Sequence, residues 1–345
     1  MTILEQLEAL SQRTGVSGTE YSVSEYAAQQ LGRFSETVCT DVLGNVYARI
    51  GLFDPGKPTL LLDAHMDEIG MVITHIDEEG FLRVGNCGGV DRRILPAQQV
   101  TIHGVKEYKG VVCSTPPHLA KEETPRFPTV EELYIDTGFS ANDLVGKVAP
   151  GDKVTVDAHF RELMNGRVCG KALDDRSGMA AILLTLERIK EEAKACACNV
   201  LVLFSVQEEI REAGAHVASS YLDADYAVSI DVSFGWTPDT PEYSCGELGK
   251  GVMIGYSPTL SQDFSRRLTK LALDHHIPHQ IEVMPGITST NADIIGVSRG
   301  GVRTATLSIP LRYMHTPIET LEIDDIMSVS DLLCILIKEG VSDHE

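Results

Sequence analysis

No stretch of this chain approaches twenty consecutive apolar residues, so nothing in it has the length of a membrane-spanning helix. Its eight cysteines (39, 87, 113, 169, 196, 198, 245 and 334) include no C-x-x-C pair, and only Cys196 and Cys198 lie close together. Without clustered thiolates, a structural zinc knuckle is excluded. The opening MTILEQLEALSQ lacks a signal-peptide pattern, so reduced thiols in a cytoplasmic protein are expected. Basic charge is also short: 29 Lys and Arg against 50 Asp and Glu give a formal charge of −21, which repels nucleic acid and anionic lipid. Neither nucleic acid nor membrane is therefore an expected partner. Internal repeats and long low-complexity tracts are absent as well.

What is present suits two domains: 345 residues, 43 % of them hydrophobic. The central stretch is Leu201–Glu209, LVLFSVQEE, an apolar run without Gly or Pro that stops at two adjacent carboxylates. It reads as a strand buried on both faces. Neighbouring strand residues point to opposite sides, so Glu208 and Glu209 would do different work, one holding a metal while the other moves a proton. Alone, such a pair is ordinarily a solvated strand end. Its context decides otherwise.

Helical spacing at Ile3, Leu4, Leu7 and Leu10, and again at Val23, Tyr26, Ala27 and Leu31, predicts two opening helices. Thr37–Val42 and Asn45–Ile50 predict a hairpin, and TLLLDA a buried strand that ends on His65 and Asp67. From about Met71 to His159, short alternating segments broken by Gly predict a small β-barrel or sandwich, with Pro116–Thr129 as a mobile loop inside it. Alternation of helix and strand then resumes: helix Ser177–Lys194, strands Asn199–Val206 and Tyr226–Ile230, helix Gln262–His275, strands Gln280–Met284 and Val302–Ile309, and helix Asp324–Lys338. The expected fold is α/β: a three-layer α/β/α catalytic domain with a mixed sheet, interrupted by an inserted β-barrel-like domain. Residues 1–68 and 161–345 form the former and 69–160 the latter.

His65, the pair Glu208 and Glu209, Asp231 and His315 all follow strands, where open α/β sheets bind ligands. KALDDRSG adds Asp174 and Asp175 ahead of a helix. Two imidazoles with three or more carboxylates suit zinc, cobalt or manganese, and that many acids suit two metals better than one.

HMDEIG (65–70), NGRVCGKALDDRSG (165–178), QEE (207–209), SIDV (229–232) and RYMHTP (312–317) resemble, in order and spacing, the dinuclear-metal aminopeptidases that form tetrahedral particles, the TET or glutamyl/deblocking aminopeptidase family. The resemblance covers essentially the whole chain. It implies that His65, Asp174, Glu209, Asp231 and His315 hold two divalent ions, zinc or cobalt first and manganese next, with Asp174 the bridge. It further implies Glu208 as general base, Asp67 orienting His65, and Asp175 shaping the backbone. Short peptides with free N-termini would be the substrates, and a homo-dodecamer built from dimers the assembly, with the β domain supporting it. Two departures stand out: the family's V-G-L-R-G-A after QEE is Ile210-Arg211-Glu212-Ala213-Gly214-Ala215 here, and its G-T-D-A is Ser289-Thr290-Asn291-Ala292.

Other readings are weaker. Gly296-Val297-Ser298-Arg299-Gly300 matches the serine-hydrolase elbow G-x-S-x-G, but the flanks read as helix then strand, the reverse of what an elbow needs. A glycosidase needs carboxyls on opposite faces of a sugar bond, which adjacent glutamates do not supply. A scaffold that kept the metals but lost turnover is the non-enzyme alternative. Arg299, Arg303 and Arg312 are candidates to receive an acidic side chain, with structural roles more natural for each.

Overall fold

A computed structural model describes residues 1–119, 127–190, 196–238 and 240–342. The chain opens on α1 (Ile3–Ser11) and α2 (Tyr21–Leu31). α1 starts at a capping box in which Thr2 and Glu5 satisfy each other's backbone N–H. β1 (Val38–Thr40) and β2 (Val46–Ile50) form the predicted hairpin with Val38 opposite Ala48, and β3 (Thr59–His65) follows.

Six strands come next: β4 (Gly70–Ile76), β5 (Leu82–Cys87), β6 (Gln99–His103), β7 (Glu107–Val112), β8 (Tyr134–Asp136) and β9 (Lys153–Val156). They close into a barrel in the order β4-β5-β8-β7-β6-β9, with α3 (Ala141–Leu144) in the last connection. Alternation explains the closure, because every second residue points inward: Met71 and Ile73, Leu82 and Val84, Val100 and Ile102 share one buried cluster. Of the predicted loop 116–129, residues 120–126 lie outside the described residues.

The chain then returns through β10 (Arg161–Glu162), β11 (Arg167–Gly170), α4 (Leu173–Ile189), β12 (Asn199–Ser205), α5 (Glu208–Arg211), α6 (Ala213–Tyr221) and β13 (Tyr226–Phe234). It finishes with β14 (Val252–Tyr256), α7 (Gln262–Asp274), β15 (His279–Val283), α8 (Asn291–Gly296), β16 (Arg303–Leu311), β17 (Glu319–Glu322) and α9 (Ile323–Glu339). Eight strands make one mixed sheet, β1-β2-β12-β3-β13-β16-β14-β15. Its centre is parallel, with Ser205 beside His65 and Asp231 beside Ser308. These central strands are apolar at successive positions because both faces are covered. Leu60, Leu62, Ala64, Val202 and Phe204 join a core with α1, α2, α4, α7 and α9; Leu61, Leu201 and Leu203 join another with α6 and α8. The result is the predicted α/β/α arrangement with a barrel inserted.

Three local expectations are corrected. The strand through Leu201 stops at Ser205; Gln207 takes a left-handed conformation (φ 58°), and Glu208 and Glu209 begin a helical turn. They therefore do not alternate across a strand, and their separate directions come from the turn instead. α4 carries one extra turn at its start, from Leu173, set off by the non-helical Asp174 and Asp175 from the regular helix predicted near Ser177, and the predicted far end, 191–194, lies outside the described residues. Strand β14 and the small sheet β10-β11-β17 have no counterpart in the sequence reading.

Candidate metal centre

Parallel strands bring their carboxyl ends to one edge, and that edge gathers residues far apart in sequence. His65 ends β3, and Asp231 lies on β13 two residues past the pairing of Ser229 with Asp63. Asp174 sits at the entry to α4, where Asp174 and Asp175 depart from helical φ/ψ and the peptide joining them is cis. Glu209 is the second residue of α5, and His315 lies in the turn after β16 with φ 62°. His65, Asp174 and Asp231 present ligand atoms all within 4.8 Å of one another, and so do Asp174, Glu209 and His315. Asp174 belongs to both sets. Its Oδ1 is 3.0 Å from His65 Nε2 and its Oδ2 is 3.4 Å from His315 Nε2; Glu209 Oε2 is also 3.4 Å from His315 Nε2.

Asp67, wholly buried, organises the approach. Its Oδ1 accepts the Glu208 N–H at 2.9 Å, and its Oδ2 accepts the Glu209 N–H at 3.1 Å and the Ser17 hydroxyl at 2.6 Å. Against His65 Nδ1, its carbonyl oxygen is nearer (3.2 Å) than its carboxylate (3.4 Å). One side chain thus fixes the start of α5 and borders the imidazole. Asp175 belongs to neither set: its Oδ1 accepts the Gly178 N–H at 2.9 Å, capping the regular part of α4.

The charges explain what this pocket would take up. Burial pushes Asp231 up to about 8 and Glu208 up to about 9, and raises Glu209 too. Burial also acts on Asp174, but His315 and His65 outweigh it and hold Asp174 below the usual carboxylate range. The two histidines move the other way: burial lowers each, and the neighbouring carboxylates overcome that, carrying His315 up to about 11 and His65 well above its ordinary value. Four carboxylates (Asp174, Glu208, Glu209 and Asp231) with Asp67 behind them exceed what two imidazolium ions neutralise. Hard oxygen donors with two imidazoles, arranged as two sets sharing one carboxylate, fit a pair of divalent cations.

Supporting residues gave no sequence signal. Glu319, fully buried, accepts the N–H groups of Leu173 (2.8 Å) and Asp174 (3.2 Å) through Oε2 and that of His315 (2.9 Å) through Oε1. It ties together two segments that carry ligand candidates, yet reads in sequence as one more acid before a helix. Gly89, after β5, is another: a Cβ there would come within 2.5 Å of His315 Nδ1. Replacing Gly89 by Ala is therefore expected to displace the imidazole and weaken metal retention about tenfold or more while leaving the melting temperature within a few degrees. Metal analysis of dialysed protein checks this, and wild-type metal content would refute it.

A cleft opens over the cluster, walled by Glu282, Met284, Ser233, Phe234 and the segment 288–290. Asn291 does not enter it: it is buried, and its amide donates to Asp63 Oδ2 (2.9 Å) and Ser205 Oγ (2.8 Å). Asp63 is itself wholly buried and raised to about 6 by that burial. The amide at 291 thus bears on a network inside the sheet. Gly214, retained in the altered loop, is required because a Cβ would fall 2.3 Å from the Val206 carbonyl. The three arginines take structural partners: Arg299 pairs with Asp223 at 3.0 Å, Arg303 stacks on Tyr226, and Arg312 donates to the Trp236 carbonyl at 2.7 Å. Ser298 follows a helix, and its hydroxyl donates to the Ile295 carbonyl at 2.7 Å, so Ser298 is not placed on a nucleophile elbow.

The family model described as M42 glutamyl aminopeptidase matches residues 44–332. The lysyl aminopeptidase of Pyrococcus furiosus is 31% identical, over 97% of this chain and 96% of its own. Among solved structures, aminopeptidase APDkam598 from the archaeon Desulfurococcus kamchatkensis superposes with a TM-score of 0.91 at 31% identity, covering 98% of this chain and 95% of its own. The TET1 peptidase of Pyrococcus horikoshii, described as able to assemble into a tetrahedron or a large octahedral shell, gives 0.85 at 32%, covering 98% and 100%.

Proposed function

Because this chain belongs to the M42 glutamyl aminopeptidase family, we propose that it works as a dinuclear metal-dependent aminopeptidase on the N-terminal peptide bond of short peptides. The observation that carries the reading is Asp174, shared by both three-residue sets with its two oxygens turned to different histidines. His65, Asp174 and Asp231 would hold one divalent ion, and Asp174, Glu209 and His315 the second. Zinc or cobalt suits these donors best, with manganese next. When bound, such a pair lowers the pKa of a coordinated water from 15.7 to about 7 and polarises the scissile carbonyl.

The protein's own residues do the rest. Glu208, outside both sets but beside them, takes the proton of the attacking water and hands it to the leaving amine. Asp67 holds the backbone of Glu208 and Glu209 so that base and ligand keep their spacing. Carboxylates around the cleft favour a free α-ammonium group over a blocked one, and that confines cleavage to the N-terminus. In the same reading, residues 69–160 support assembly while 1–68 and 161–345 carry the site. A homo-dodecamer built from dimers, in the cytoplasm, is the working form, in keeping with the tetrahedral assembly described for the Pyrococcus horikoshii peptidase.

The test is release of N-terminal residues from matched free and N-acetylated peptides by protein reconstituted with zinc or cobalt, its particle mass measured by light scattering. Release confined to free amines, from a dodecamer, is expected. Equal cleavage of both sets would replace the exopeptidase with a broader amidohydrolase, and no cleavage by metal-loaded protein would make it a scaffold. A monomer at micromolar concentration would end the assembly part of the reading.

A further inference from the structure

The family description names a glutamyl enzyme and a relative is a lysyl one, so kinship leaves open which N-terminal side chain this protein receives. The cleft over the cluster carries an answer in Glu282. This residue lies on β15, the edge strand, in register with Gly255 of β14. The carboxylate reaches across to the next strands: Oε2 accepts the Ser308 hydroxyl of β16 at 2.8 Å, and Oε1 accepts the Ser233 hydroxyl of β13. Ser233 stands two residues beyond Asp231 on the same strand, hence on the same face and about 7 Å further along.

Glu282 is therefore held beside the cluster rather than free on the rim. Its partners among the described residues are the two hydroxyls, and neither is a cation. Each oxygen keeps a lone pair for another donor. Beyond the cluster, the charged residues lining the cleft, among those described, are Glu212, Glu282 and Arg211, and Arg211 is exposed at its mouth. Phe234 and Met284 add apolar wall between, suited to a long aliphatic stem that ends in charge.

We propose that Glu282 is the specificity-determining residue of the pocket for the first side chain, and that the protein prefers peptides beginning with lysine or arginine. This rests on the aminopeptidase reading above. The α-amino group would sit at the carboxylate cluster, the four-carbon stem along Phe234 and Met284, and the terminal cation against Glu282 with its two serine hydroxyls behind it. An acidic first residue would meet like charge, and a leucine would leave the half-buried carboxylate without a counter-ion.

The experiment compares kcat/KM for lysyl, arginyl, leucyl, alanyl and glutamyl 4-nitroanilides on zinc- or cobalt-loaded protein. Lysyl and arginyl substrates should lead leucyl by about tenfold to a hundredfold, the range of a charge-assisted hydrogen bond, with glutamyl slowest. In Glu282→Gln the lysyl-to-leucyl ratio should collapse towards one, whereas Glu282→Asp should keep a preference for cations; melting curves and metal content verify that both variants are folded and loaded. A leucyl or glutamyl preference in the wild type, or an unchanged ratio in Glu282→Gln, would overturn the assignment while leaving the aminopeptidase intact. Failure to release any of the five residues would overturn the aminopeptidase reading, and this assignment with it.

Discussion

Glu208→Gln should lower kcat by about a hundredfold to ten-thousandfold, the contribution of a general base, while metal content stays at the wild-type level. Both halves of that expectation come from the geometry. Glu208 belongs to neither set of candidate ligands, so an amide there removes no metal donor. Its backbone N–H is held by Asp67 Oδ1, a bond that a glutamine keeps, so the local turn should survive. What is lost is the capacity to accept a proton. Glu209→Gln is the informative contrast, because Glu209 shares a set with Asp174 and His315 and its replacement should deplete metal as well as rate. Equal rates for Glu208→Gln and wild type would remove Glu208 from the base's role; metal loss in Glu208→Gln would make it a ligand.

How much of this was legible in the sequence follows from the range of the interactions involved. Buried parallel strands impose continuous apolar runs, so TLLLDAH and NVLVLFS declare themselves, and the polar residues at their ends mark the sheet edge where the site forms. Barrel strands impose alternation, and that pattern was visible from Met71 onward although the order in which the six strands close was not. The turn that separates Glu208 from Glu209 was misread because a left-handed Gln207 has no propensity signal; the tertiary grip of Asp67 on the next two N–H groups accompanies it. Glu319 and Gly89 were invisible for the same reason. One acts through three backbone N–H groups on two distant segments, and the other through space it leaves for an imidazole from the far end of the chain. Nor does the stretch Ser289-Thr290-Asn291-Ala292 signal that the Asn291 amide turns towards Asp63 inside the sheet.

Removal of metal by chelation and dialysis should abolish peptide release and lower the melting temperature by several degrees, by more at pH 9 than at pH 6. The first part follows from mass action: ions that bind only the folded chain stabilise it by about 2.7 kcal/mol per site at a hundred times the dissociation constant. The second comes from the buried ionisable groups. Asp231, Glu209, His65 and His315 all have folded-state values raised above the ordinary ones, by burial for the acids and by adjacent carboxylates, against burial, for the histidines. A raised group binds its proton more tightly when folded, so its stabilisation is present below the unfolded value and is lost as pH climbs through the folded one. In metal-free protein that loss runs from about pH 4 for the acids and pH 6.5 for the histidines upward. Asp174 and Asp67, held low, act in the opposite sense only under acidic conditions, outside the compared range. Metal-loaded protein has cations in place of those protons and should lack the decline, so the gap between the two melting curves widens with pH. Calorimetry of both forms at pH 6 and pH 9 measures it; a gap that is absent, or that narrows at the higher pH, would show that these carboxylates and imidazoles are not the metal's ligands.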